Sequence, residues 1–174
     1  MTPLHISEHS LTGKDMARSL DRKVEEELRL GKGKRKIYEL LKTPENKVKL
    51  AYLLNSKTTL ARRKEFMWIN LFLCGALLGM TVRRLLSISF TGHLDFYLVF
   101  DFIVPTINFY ILREILLFQR NGYQFLAILT TLSLVYAENR AMPDLLINLG
   151  MIALALFLYY RMFPRQELIL PPGG

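Results

Sequence analysis

The sequence predicts an all-α protein: a polytopic membrane helix bundle of about four transmembrane helices, preceded by a short, basic, helical N-terminal cytoplasmic segment. Two observations carry that reading. Residues 1–65 hold 25 of the 38 charged side chains in a chain of 174, whereas the 98 residues from Phe66 to Phe163 hold 11. Within that second stretch, apolar runs of helical length recur, each closed by basic or turn-forming residues. A soluble domain spreads its charges along the chain, because every surface helix needs a polar face. Three regions follow: residues 1–65, a membrane region 66–163 and a tail 164–174.

In the first region Met16, Leu20, Val24 and Leu28 recur every fourth residue between Lys14 and Leu30, the stripe of an amphipathic helix. Gly31-Lys32-Gly33 ends it, since a glycine in a helix interior costs about 1 kcal/mol relative to Ala. A second short helix is expected around Lys36 to Leu41. Thr43-Pro44-Glu45 reads as the start of a third, with Thr as N-cap, Pro at the first helical position and Glu at the positive end of the dipole. Val48, Leu50, Ala51, Leu53 and Leu54 supply its apolar residues before Asn55-Ser56. So small a unit buries little area. The stripe is therefore expected to lie on a partner protein, a second copy or the membrane surface. The partner is preferred, because Glu25-Glu26-Glu27 would be repelled by an anionic leaflet.

The spans are placed at about 66–86, 94–118, 123–136 and 145–163. Phe66 to Val82 gives 17 residues without a charge, about 26 Å of helix, which Arg83 and Arg84 can extend by snorkelling. The second segment contains Asp101, Pro105, Asn108, Arg113 and Glu114, and Pro105 is expected to kink it. The third is short, so a re-entrant segment competes with a full span; the full span is preferred. Pro143-Asp144 and Arg161 bracket the fourth. With four spans, Arg113, Arg120, Arg161 and Arg165 fall on the side of Arg62, Arg63 and Lys64. That side is cytoplasmic by the positive-inside tendency, and both termini lie there.

Several constellations invite a chemical reading. Tyr97, Asp101 and Asn108 share one face of the second span, and an acid in hydrocarbon needs a partner, for which Arg83 and Arg84 are candidates. A structural ion pair is preferred there over an ion site. Gly75-Ala76-Leu77-Leu78-Gly79 is a G-x-x-x-G face, read as a packing surface, within the chain rather than between chains. Arg113 and Glu114 are adjacent and read as an interfacial anchor, with Glu114 within reach of Arg62 or Arg63. Asn70, Thr130, Thr131 and Ser133 are expected to hydrogen-bond between helices. From Arg29 to Lys64 the net charge is +10, and Lys32, Lys34, Arg35, Lys36, Arg62, Arg63 and Lys64 are expected to contact anionic lipid.

Other chemistries find no support. Cys74, the single cysteine, excludes an intramolecular disulfide and is read as a packing residue. Met1 to Lys14 lacks the charged and apolar regions of a secretory signal, so the first span is expected to direct insertion. His5 and His9 make a poor metal pair, and His93 has no second histidine for a haem. Gly31-Lys32-Gly33-Lys34 lacks phosphate-loop spacing, and without an aromatic stacking set nucleic acid is not an expected partner. No cofactor is expected. The preferred expectation is a non-catalytic membrane subunit that joins other subunits or itself. A small transporter or channel using Asp101 and Asn108 comes second, and a lipid-acting enzyme last.

Overall fold

A computed structural model describes residues 13–91, 97–135 and 140–170, with the side chains of 18–88, 102–135 and 140–170. His5, His9, His93, Asp95, Glu138 and the tail from Pro171 lie outside the described residues, as do the side chains of Met16, Tyr97 and Asp101. The described chain is all-α, with seven helices: α1 Gly13–Arg29, α2 Lys34–Leu41, α3 Lys47–Ser56, α4 Leu60–Thr91, α5 Tyr97–Leu116, α6 Arg120–Ser133 and α7 Asp144–Met162. Among the described residues there is no strand; a lone antiparallel bridge joins Lys57 to Gln119.

Helices α4 to α7 close into a four-membered ring in which α4 touches α5 and α7, and α6 touches α5 and α7. Neighbours run antiparallel. Asn70, early in α4, reaches Ile115, late in α5. Thr58, just before α4, donates to the Met162 carbonyl at the end of α7 (3.1 Å), while Arg83, late in α4, pairs with Asp144 at the start of α7 (2.6 Å). The core is apolar and interdigitated, built from Leu73, Leu77, Ile111, Ile115, Leu126, Ala155 and Leu158. One polar clamp interrupts it. Asn70 donates to the Ile115 carbonyl (3.1 Å) and accepts from the Tyr123 hydroxyl (2.6 Å), so one amide ties three helices together. The turn from α5 to α6 is tight. Phe118 takes a left-handed φ of 54°, and a Cβ on Gly122 would lie 2.8 Å from the Ile115 amide nitrogen.

The N-terminal helices cover the described part of their own stripe. Leu20, Val24 and Leu28 are buried against Ile37, Leu50, Ala51, Leu54 and Ile169, the last contributed by the C-terminal segment. Two hydrogen bonds of 2.9 Å between the Asn55 amide and the Ile169 backbone fix that segment across α3. The expectation that the stripe waits for an outside partner is overturned. The triad of acids that had disfavoured a membrane surface is also used internally: Glu25 meets Lys57 and Arg63, Glu26 meets Arg22, and Glu27 meets Lys32.

The third helix starts later than the Thr43-Pro44-Glu45 pattern implied. Residues 43–46 form a turn in which Asn46 Oδ1 accepts from the Thr43 amide (2.8 Å) and Asn46 Nδ2 donates to the Leu41 carbonyl (3.0 Å). The asparagine satisfies the chain end of α2 and the helix begins behind it.

Two helices, α4 and α7, are long and apolar enough to cross a membrane. Their most apolar 18-residue stretches are only 22% and 28% buried, so most of that surface points away from the bundle, unlike that of a soluble core helix. Trp68 and Phe72 on α4 and Tyr160 on α7 stand exposed, joined by Ile128 and Leu132 on α6. The outer belt is apolar all round.

Candidate functional site

The basic residues gather at the end of the bundle where α4 begins and α7 stops. Lys57 bonds Asp21 (2.9 Å) and Glu25 (3.2 Å), and Arg63 grips Glu25 at 2.8 Å, so α1 is locked to the start of α4. Burial alone would raise the Glu25 pKa; the Arg63 and Lys57 cations overcome it and hold the carboxyl at about 2. Arg62 bonds Glu167 (2.7 Å) and the Arg161 carbonyl (2.5 Å), tying α4 to the 3-10 turn Arg165–Glu167. Arg120 donates to the Tyr159 hydroxyl (3.0 Å) and lies over the same ring.

Lys34 is the unexpected member. It is 4% exposed, its ammonium lies 5.6 Å from the centre of the Phe163 ring, and among the described residues no acceptor is within hydrogen-bonding reach. Burial pulls its pKa down to about 8, with Arg120, Arg62 and Arg63 adding repulsion against the attraction of Glu167.

The seven residues expected to contact anionic lipid thus divide. Lys34 is buried, Arg62 and Arg63 are paired with carboxylates, and Lys32 is paired with Glu27. Arg35, Lys36 and Lys64 are exposed. Glu114 takes its bond from the adjacent Arg113 (3.1 Å), while Arg62 and Arg63 go to Glu167 and Glu25.

At the other end, Arg83 is committed to Asp144 and Arg84 is exposed at the mouth of a cleft of about 620 Å³ between the four helices. Asn108 lines that cleft and donates to the Thr81 hydroxyl (3.1 Å). Tyr97 and Asp101 belong to α5, at the end of the bundle where the cleft opens. Thr131 donates to the Ala127 carbonyl (2.7 Å), within its own helix rather than across to another as expected, and Ser133 donates to the Thr130 carbonyl (2.8 Å).

Gly75 and Gly79 face outward. A Cβ at either would meet nothing within 4 Å, and with Gly150, Phe72, Ala76 and Leu154 they line an open groove of about 450 Å³ between α4 and α7. Among the described residues no close helix approach uses the motif. Among the described residues there is no group of three or more His, Cys, Asp or Glu that could hold a metal. The pairing of Lys57, Glu25 and Arg62 with distant residues carried no local sequence signal; Asn70 did, as an amide inside an otherwise apolar span.

No family model, curated protein or solved structure matches the chain. Its class rests on the fold: an all-α chain with two helices fit to cross a membrane and an apolar outer belt.

Proposed function

We propose that the chain is a non-catalytic integral membrane subunit: four spans, α4 to α7, with both termini on the basic, cytoplasmic side, joining other subunits or a second copy through its outer face. The observation that carries this reading is the outward apolar surface of α4 and α7. That surface finds no cover among the described residues, and hydrocarbon or another membrane helix is its natural neighbour. Four crossings are favoured over a re-entrant third segment because α7 starts beside Arg83, at the end away from Arg120 where α6 starts. Arg62, Arg120 and Arg161 share the other end, as the positive-inside tendency asks.

The open groove beside Gly75 and Gly79 supports assembly over solitary function, since small residues let a second backbone approach. Asn108 in the cleft keeps transport as the second reading; loss of flux in Asp101→Asn with assembly intact would favour it. Single cysteines placed at Ser10 or at Gly173 in a Cys74→Ala background test the topology in oriented vesicles. Labelling of both from the cytoplasmic face alone is expected, and opposite-face labelling removes the four-span reading.

A further inference from the structure

The cleft between α4, α5, α6 and α7 is layered along the helix axes. Its floor is Leu77, Ile111, Leu126 and Met151, all 4% exposed or less. One turn nearer the mouth come Met80, Asn108, Thr130 and Asn148, and one turn further Arg84, Val104 and Ser133. The spacings of three to four and then seven residues keep each helix's contributions on one face, through all three layers on α4, α5 and α6 and through the first two on α7. From Leu77 to Arg84 the rise is about 10 Å.

We propose that this cleft binds a short single-chain amphiphile with an anionic head, a carboxylate or phosphate monoester, whose apolar body of about 10 Å rests on the floor. The walls suit such a molecule in three ways. The floor offers water no hydrogen bonds. In the middle layer the Thr130 hydroxyl, on a side chain 7% exposed, and the carbonyl oxygen of Asn108 have no partner among the described residues. At the rim Arg84 is the one charged residue lining the cleft among those described, and no carboxylate there engages it. The volume of about 620 Å³ lies in the range that encloses one small ligand. The inference needs only the packing of α4 to α7 and stands apart from the subunit reading.

The test is equilibrium binding to the full chain in lipid nanodiscs, with decanoate, decyl phosphate, decanol and decylammonium as probes. A chain that does not enter nanodiscs is assayed in buffer, so failure of the membrane reading and failure of the site are separate results. Saturable binding of decanoate or decyl phosphate is expected, and which of the two is tighter identifies the head group. Arg84→Gln should weaken the anion about tenfold and leave decanol unchanged. Thr130→Val, nearly isosteric, should weaken both anion and alcohol. Non-saturable uptake, a preference for decylammonium, or an Arg84→Gln variant that binds like the parent overturns the proposal.

Discussion

Lys34 carries its charge where little in the fold welcomes it, Glu25 is held in its charged form by two cations, and both lowered pKa values make stability rise with pH, in separate windows, at the same junction. With a folded pKa of about 8 against 10.5 unfolded, both states of Lys34 hold the proton below pH 8 and the folded state bears the whole cost. Between pH 8 and 10.5 the folded state sheds the proton first, so stability rises with pH. Lys34→Met should raise stability at pH 7 by about 1–3 kcal/mol, the lost contact with the Phe163 ring offsetting part of the gain. It should also flatten the rise above pH 8. Denaturant titration at pH 7 and 10 reads both, and a less stable variant at pH 7 would contradict the account. Glu25 gives the same slope in an acid window, but as a gain at neutral pH where Lys34 is a cost. Its folded pKa of about 2 lies below the usual 4.5, so its contribution is complete above pH 4.5 and is lost as pH falls toward 2. Glu25→Gln should cost about 1–2 kcal/mol at pH 7, with solvent screening keeping it below the full shift, and should blunt acid destabilisation over that window.

Single helices were legible to different degrees, and the reasons are physical. The fourth apolar run, 145–163, became Asp144–Met162 almost unchanged, because Pro143 before it and Arg161 and Pro164 at its end close hydropathy and helix together. The third run, 123–136, became Arg120–Ser133. Hydropathy reports only the apolar stretch, whereas the backbone helix includes Arg120 and Asn121, whose side chains are only partly buried at the basic end. Thr43-Pro44 misled for a similar reason: a good helix-start pattern lost to Asn46, which bonds both the preceding helix end and the turn. The joint between α5 and α6 depends on Gly122. Its missing side chain lets α6 approach the Ile115 amide and the Glu114 Cβ at under 3 Å from where a Cβ would stand, and both belong to helix α5 rather than to a flexible tip. Gly122→Ala should therefore destabilise the bundle by about 1–3 kcal/mol despite alanine's better helix propensity. Thermal unfolding followed by circular dichroism measures it; an unchanged or higher midpoint would mean that the turn relaxes.

On the scale of the molecule, sequence spacing exposed the amphipathic stripe of α1 but not what covers it. Ile169 reaches that core from more than a hundred residues away, held by the Asn55 amide, and no local period encodes so distant a partner. With the described stripe covered, the proposed assembly rests on the glycine face of α4. Gly75 and Gly79 have open space where a Cβ would sit, so alanine at either adds helix propensity, about 1 kcal/mol, without a clash inside the chain. A neighbouring helix seated in the groove would feel even that methyl, and far more a leucine. Gly75→Ala should thus raise the unfolding midpoint of the isolated bundle, while Gly79→Leu should leave it near the parent value and abolish association. Copurification from native membranes and energy transfer between labelled copies in liposomes read association with other subunits and with self, respectively. If both signals survive Gly79→Leu, the groove faces lipid alone and assembly runs through another surface.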